Sequence, residues 1–85
     1  MLGNIKSKVK LMIKTIVGID GNISPKPGDR LIELGINSIN YVQLLVNIEF
    51  EYGIKFDIQN LVLDKKQTFK EFVLFIKGYL HSKGK

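Results

Sequence analysis

Apolar residues recur at the spacing of an α-helix in three separate segments of this chain, and no useful length alternates apolar and polar residues with the period of a β-strand. The first segment runs from about Asn4 to Val17, the second from Ser38 to about Tyr52, and the third begins at Thr68. Before the third, the sequence FDIQNLVLD predicts a further short helix. These periodicities indicate an all-α fold: a small four-helix bundle with three longer helices plus one short third helix.

In the first and last segments, the apolar positions each form one stripe, which we expect to face the core. The stripes are Ile5, Val9, Met12, Ile13 and Ile16 in the first segment, and Phe69, Phe72, Val73, Ile76 and Leu80 in the last. The short helix is predicted to begin at Asp57 as its N-cap and to turn Ile58, Leu61 and Val62 inward.

Turn-forming residues separate the helical segments. Gly18 and Gly21 are predicted to stop the first helix and Gly53 the second. The segment DGNISPKPGD has the Gly and Pro content of turns, and RLIELG after it predicts a short helical turn whose Leu31 and Leu34 pack on the core. A connection this long is uncommon in a small domain and often carries function. Thr68 and Glu71, at the start of the last helix, have the spacing of a capping box.

An 85-residue chain corresponds to one domain, so we expect residues 1–85 to form a single unit with an ordered core over about 5–80 and a flexible tail at 81–85. The chain has no cysteine, which excludes disulfide bonds and thiolate metal sites, and no histidine–carboxylate cluster suggests a metal. No apolar stretch is long enough to cross a membrane. Closely spaced N-terminal lysines also interrupt the apolar core that a signal peptide would need. We therefore expect a discrete, monomeric, cytoplasmic protein without a membrane partner.

The net charge of +5 raises the alternative of a nucleic-acid or anionic-surface binder that uses Lys6, Lys8, Lys10 and Lys14. The distribution of charge weakens this alternative, because residues 31–64 carry one Lys against five acidic residues while the flanking segments are basic. Lysines on such segments more often form a solvated face than a binding site. We therefore expect no nucleic-acid partner.

The second helical segment has more apolar residues than one buried face requires, nine of the fourteen from Ile39 to Tyr52. At about 100° per residue they form two stripes roughly 150° apart. The first stripe is Tyr41, Leu44, Leu45, Ile48 and Tyr52, and the second is Ile39, Val42, Val46 and Phe50. A central helix buried on all sides would explain both stripes. An exposed second stripe would instead mark an interface, and we favour this partner face because the stripe begins beside Ser38.

Ser38 lies between a glycine-containing bend and the second helix, where it could be an N-cap, a nucleophile or an attachment point. A nucleophilic serine needs a base, but the only histidine, His81, lies in the polar C-terminal tail. The glycines of a nucleophile elbow are replaced by Ile36 and Asn40. We therefore predict no catalytic residue, whereas a cap and an attachment point are compatible interpretations of one serine.

The stretch LIELGINSINYVQLLVNIEFEYGIKFDI, followed by a Thr-capped helix, resembles the carrier proteins for acyl, peptidyl and aryl groups. The family motif is a leucine-glycine pair, two variable residues, the modified serine and an apolar residue that opens a helix. Leu34-Gly35 and Ser38-Ile39 match this motif, and Glu51-Tyr52-Gly53 matches the acidic–aromatic–glycine pattern that ends the helix. In the family, the short third helix follows, which IKFDIQNL resembles. The resemblance covers about residues 5–80.

This resemblance implies a protein that is not an enzyme but holds an acyl, aminoacyl or peptidyl group as a thioester on 4′-phosphopantetheine. A phosphopantetheinyl transferase would move that arm from coenzyme A onto Ser38. The other implied partners are an adenylating or acyl-loading enzyme and downstream condensing or tailoring enzymes. The residues agree with this, because the chain has no thiol of its own and a helix N-terminus favours the charge of a phosphodiester.

Two departures from the family pattern suggest the peptidyl carriers of nonribosomal peptide synthesis. Many members have Asp before the serine, where this chain has Asn37, and peptidyl members often vary there. Fatty-acid carriers have a strongly acidic second helix, whereas Asn40, Gln43 and Asn47 are neutral and Phe50 is apolar. Charge steering by this helix should therefore be weak. The alternatives are a specialised stand-alone carrier, an acyl carrier of fatty-acid or polyketide synthesis, and an unmodified docking or scaffold bundle.

Overall fold

The computed structural model describes residues 5–18 and 25–83, which form three α-helices: α1 (Ile5–Val17), α2 (Ser38–Tyr52) and α3 (Phe69–Lys83). Two 3-10 turns, Leu31–Leu34 and Ile58–Asn60, precede and follow α2. Within the described segments there is no β-strand, only an isolated antiparallel bridge between Arg30 and Thr68. The all-α bundle predicted from helical periodicity is confirmed. Asn4 and Gly21, the predicted start and second stop of the first helix, lie outside the described residues.

One continuous core joins the three helices, and the predicted stripes line it. Its buried helical members are Ile5, Val9 and Ile13 from α1, Tyr41, Leu44, Leu45 and Ile48 from α2, and Phe69, Phe72, Val73, Ile76 and Leu80 from α3. Met12 and Ile16 pack against this core while remaining partly exposed. Each helix therefore buries one face, and the largest favourable contribution to folding comes from that apolar burial.

Helices α1 and α2 run antiparallel. Lys8, near the start of α1, forms an ion pair with Glu51, near the end of α2. At the other end, Gly35 lies against the side chain of Val17, the last residue of α1. The start of α2 is therefore next to the end of α1.

Backbone hydrogen bonds fix the connection before α2 to the start of α3. The N–H of Leu31 donates to the carbonyl of Gln67 at 3.0 Å, and the N–H of Phe69 donates to the carbonyl of Asp29 at 2.7 Å. The capping box predicted for Thr68 is present, because its N–H and Oγ1 exchange hydrogen bonds of 2.9 and 3.1 Å with Glu71. The described part of the long connection is thus held against the start of α3 at Asp29 and Leu31.

Two sequence expectations change at the C-terminal half of the chain. The predicted short third helix is a single 3-10 turn, and Val62, expected to face inward, is 79% exposed. The reason is that the backbone becomes extended at Leu61, with φ −100° and ψ 119°, so helical spacing no longer applies after the turn. Ile58 and Leu61 do pack against the core. Helix α3 ends at Lys83 and residues 84–85 lie outside the described residues, so the flexibility expected for the tail at 81–85 stays a prediction.

No helix in the described part of the chain is both long enough and apolar enough to cross a membrane.

Gly53 ends α2 in the left-handed conformation, with φ 65° and its N–H donating to the carbonyl of Glu49. We expect Gly53→Ala to lower the free energy of unfolding by about 1–2 kcal/mol, because a Cβ in this conformation clashes with its own backbone. Gly78 is the matched control, since it lies inside α3 with nothing within 4 Å of an added Cβ. Gly78→Ala should raise the free energy of unfolding by about 0.5–1 kcal/mol. Urea denaturation measures both changes, and changes of the same sign would contradict the prediction.

Candidate functional site

Ser38 follows a short segment that is anchored in the core on both sides of a glycine. Leu34 is 8% exposed and Ile36 is 2% exposed, so both side chains of this bend are buried. Gly35 between them has φ 97°, a conformation that glycine adopts without steric strain. The N–H of Ile36 donates to the carbonyl of Leu31 at 3.2 Å. These contacts fix the point at which the chain leaves the core, two residues before Ser38.

The N-terminus of α2 is capped by two asparagines. Asn37 has an extended backbone, and its side-chain oxygen accepts a hydrogen bond from the N–H of Asn40 at 2.8 Å. Asn40 returns the contact, because its side-chain oxygen accepts from the N–H of Asn37 at 3.3 Å. The expectation that Ser38 caps the helix is therefore wrong. Asparagine is as good a cap as serine, and Asn40 at the third helical position completes the reciprocal pair.

This capping arrangement leaves the hydroxyl of Ser38 free. Ser38 is the first residue of α2 and is exposed, and its Oγ has no hydrogen-bond partner among the described residues. The backbone N–H groups of Ser38 and Ile39 also lack an acceptor within the described segments. Unpaired N–H groups at a helix N-terminus favour a negative charge. An exposed primary hydroxyl at this position is therefore suited to carry a phosphate ester.

We expect Asn37→Ala to lower the free energy of unfolding by about 0.5–2 kcal/mol, because it removes the side-chain cap of α2. Ser38→Ala should change this free energy by less than about 0.5 kcal/mol, since the hydroxyl is exposed and makes no capping bond. Chemical denaturation of the two variants compares the roles of the neighbouring residues. A larger loss for Ser38→Ala than for Asn37→Ala would show that Ser38 is the true cap.

His81 lies at the end of the bundle opposite Ser38. The hydroxyl of Tyr79, two residues before His81, donates a hydrogen bond to the carbonyl of Lys55, just beyond the C-terminus of α2. Because α2 has 15 residues, its two ends are about 22 Å apart. The structure therefore offers Ser38 no histidine base, in agreement with the absence of a nucleophile pattern in the sequence. No group of three potential metal ligands occurs in the described residues.

The second apolar stripe of α2 points out of the bundle. Ile39 is 70% exposed, Val42 is 41% exposed and Phe50 is 84% exposed, while Val46 is partly buried. A helix buried on all sides is therefore the wrong interpretation of the excess apolar residues. We call Ile39, Val42, Val46 and Phe50 the outer stripe. Its role as a partner face stays a prediction.

The polar residues around the outer stripe are neutral or ion-paired except for Glu49, whose carboxylate forms no ion pair among the described residues. The side chains of Asn40 and Gln43 hydrogen-bond each other at 3.3 Å, and Glu49 accepts the backbone N–H of Phe56 at 2.7 Å. Glu51 is paired with Lys8, and its hydrogen bond to the lysine raises the pKa of the Lys8 ammonium. A partner would therefore meet an apolar stripe with weak electrostatic steering.

Two exposed apolar residues outside the outer stripe were not anticipated as surface residues: Ile32, at 38% exposure, and Val62. The sequence did contain a signal for the first of them. In a 3-10 turn, residues three apart share a face, so burial of Leu31 and Leu34 requires Ile32 to face elsewhere. No comparable pattern marks Val62, because its exposure depends on how the extended chain crosses the bundle.

Comparisons with known proteins agree with this arrangement. A family model described as "phosphopantetheine attachment site" matches residues 7–76. The chain is also similar to a protein named acyl carrier protein from Thermotoga maritima, with 32% identity over 76 residues, which is 89% of this chain and 91% of the relative. No solved structure gave a significant match.

Proposed function

This chain belongs to the carrier-protein family of phosphopantetheine-attachment domains, and from that premise we propose that Ser38 is the residue that carries the arm. Membership makes the protein a carrier rather than a catalyst, and its cofactor is covalently attached 4′-phosphopantetheine. The thiol at the end of this cofactor holds a transported group as a thioester. Its general partners are a phosphopantetheinyl transferase and the biosynthetic enzymes that exchange the group.

One observation supports the assignment to Ser38 above all others: the reciprocal cap between Asn37 and Asn40 leaves the adjacent hydroxyl exposed and unbonded. Attachment forms a bond between Ser38 Oγ and the phosphorus of phosphopantetheine. The bond that breaks is in the pyrophosphate of coenzyme A, whose other half leaves as adenosine 3′,5′-bisphosphate. The hydroxyl proton must go to a base on the transferase, because no described residue provides one to Ser38.

The test is incubation of the unmodified protein with coenzyme A, Mg²⁺ and a promiscuous phosphopantetheinyl transferase. Intact-protein mass spectrometry should show the addition of one phosphopantetheine, and fragmentation should locate it on Ser38. An unchanged mass, or an arm located on another residue, would refute the assignment.

We also propose that the outer stripe is the face that carrier partners contact. Its support is the exposure of Ile39 and Phe50 on a helix whose opposite face is buried. The stripe begins one residue after Ser38, so an enzyme that acts on the arm would meet the stripe first. Desolvation of exposed apolar side chains favours such association without charge pairs.

We expect Ile39→Gln to raise the KM of the transferase for the unmodified protein about tenfold, the effect of losing an apolar contact worth roughly 1.4 kcal/mol. The substitution adds no charge, and Ile39 is exposed, so the helix should stay intact. Leu11→Gln is the matched control, because Leu11 is 66% exposed on α1 and lies off the stripe. Initial-rate kinetics measure the KM of the transferase for each of the two variants. Equal KM values for the two variants would contradict a docking role for the stripe.

For the transported group, we propose an aminoacyl or peptidyl cargo in nonribosomal peptide or related specialised metabolism. The neutral residues Asn40, Gln43 and Asn47, where an acidic second helix would carry charge, support this proposal. The second candidate is an acyl cargo of fatty-acid or polyketide synthesis, which the similarity to an acyl carrier protein favours. Loading assays on the arm-bearing protein separate the two. Acceptance of amino acids from adenylating enzymes, without transfer of malonyl or fatty acyl groups, supports the first, and the reverse pattern supports the second.

A further inference from the structure

A concave surface lies between α1 and α3. It is a cleft of about 260 Å³ whose apolar floor includes Phe69, Val73 and Leu74. Leu74 is 53% exposed, which is unusual for a leucine beside a buried core. Because Phe69 and Val73 are buried, the open apolar surface comes from Leu74 rather than from these two side chains.

Three lysines form the rim of this cleft: Lys6 from α1, and Lys70 and Lys77 from α3. None of them forms an ion pair among the described residues. The cleft thus combines the exposed side chain of Leu74 with three cationic groups that no carboxylate neutralises within the described segments.

The cleft faces away from α2 and its outer stripe. Lys6 and Lys8 are two positions apart on α1, which separates them by about 200° around the helix axis. Lys8 contacts Glu51 on α2, whereas Lys6 lines the cleft with α3. A partner in the cleft would therefore leave the outer stripe accessible.

We propose that the cleft between α1 and α3 is a docking site for an acidic, partly apolar segment of a partner protein, separate from the face that contacts enzymes acting on Ser38. Carboxylates of the segment would pair with the rim lysines, and an apolar side chain would cover Leu74. The partner could then hold the carrier while other enzymes use the opposite face. The inference depends on neither the arm nor its attachment residue.

The positive charge of the rim and the spacing of its lysines favour an acidic helix as the occupant of the cleft. Lys70 and Lys77 are seven residues apart on α3, or about 10 Å along its axis, so one small anion cannot contact both. An acidic helix with carboxylates at the same spacing can contact both lysines and place an apolar residue between them. Residues 1–4, MLGN, contain no acidic side chain that could neutralise the rim. The concave floor also differs from the protruding apolar face with which helices enter a lipid surface.

The test uses the full ¹⁵N-labelled chain and an end-blocked helical peptide that has two glutamates seven positions apart and leucines between them. NMR titration should shift the amide signals of Lys70, Val73, Leu74 and Lys77 most strongly. A peptide with serines in place of the leucines, and one with lysines in place of the glutamates, should both bind more weakly. Added salt should weaken binding of the acidic peptide.

The double variant Lys70→Glu and Lys77→Glu should weaken peptide binding at least about tenfold, because two attractive charges become repulsive. Its matched control is Lys65→Glu and Lys66→Glu, which reverses two exposed lysines in the turn before α3, outside the cleft. The control should change the affinity less than about twofold. Circular dichroism of both variants should show unchanged helicity. A third variant, Lys70→Gln with Lys77→Gln, removes the two positive charges, and unchanged peptide binding by this variant would also refute the proposal.

Three further results would overturn the proposal. Equal weakening by the control would show non-specific attraction between charges. Tighter binding of a DNA duplex or of phosphatidylglycerol vesicles than of the peptide would identify a different class of partner. Concentration-dependent self-association that the cleft variant abolishes would identify a second copy of this chain as the occupant.

Discussion

Ser38→Ala is expected to abolish attachment of phosphopantetheine completely, because the substitution removes the only oxygen at the start of α2 that can form the phosphodiester. The loss should not come from unfolding, since the Ser38 side chain is exposed and the cap is formed by Asn37 and Asn40. The measurement is intact-protein mass after incubation with coenzyme A and the transferase. No arm should be detected even at long incubation times.

Ser7→Ala is the matched control for this prediction. Ser7 is exposed, as Ser38 is, but it lies within α1 rather than at the start of a helix. The Ser7 variant should accept one arm at the rate of the original protein. If Ser38→Ala still gains an arm, another hydroxyl is the attachment point and the proposed site is wrong.

Phe72→Ala should lower the free energy of unfolding by about 3–5 kcal/mol, the usual range for truncation of a buried phenylalanine. Phe72 is fully buried, and its ring meets the edge of Tyr41 at 6.0 Å and the ring of Phe75 at 6.3 Å between centroids. Its removal would leave a cavity where α2 and α3 pack together. Because a chain of 85 residues has a total stability of only about 4–13 kcal/mol, much of the folded population could be lost.

Phe50→Ala gives the matched comparison, the same chemical truncation at a residue that is 84% exposed. It should change the free energy of unfolding by less than about 0.5 kcal/mol. Urea denaturation followed by circular dichroism measures both variants under identical conditions. Similar losses for Phe50 and Phe72 would mean that the outer stripe is part of the core, which would also remove the basis of the docking proposal.

Much of the fold was predictable because its signals are local. The spacing of Ile5, Val9 and Ile13 identifies a buried helix face from neighbouring residues alone. The stop at Gly53 and the capping box at Thr68 likewise depend on residues within one turn of each other. The LGxxS pattern that marks Ser38 spans only five residues, and the structure places this serine at the exposed start of a helix.

Other features depended on distances that the order of residues does not contain. Asn37 and Ser38 are both good N-caps, and only the backbone geometry shows that Asn37 takes the cap and leaves the serine free. The exposure of Val62 likewise follows from the extended path after Ile58–Asn60 rather than from its apolar character. Lys6 and Lys8 look equivalent in the sequence, yet one lines the cleft and the other pairs with α2.

The amino-acid sequence by itself determined the helices, their buried stripes and the serine around which a carrier function can be proposed. Tertiary structure alone decided which of the two stripes of α2 faces solvent and which lysines of α1 and α3 line the same cleft. The physical reason is range: helix formation and capping are set by contacts within about four residues. Burial and charge pairing, in contrast, depend on how separate helices pack. The identity of a single apolar or charged residue does not show which distant residues it will contact in the folded protein.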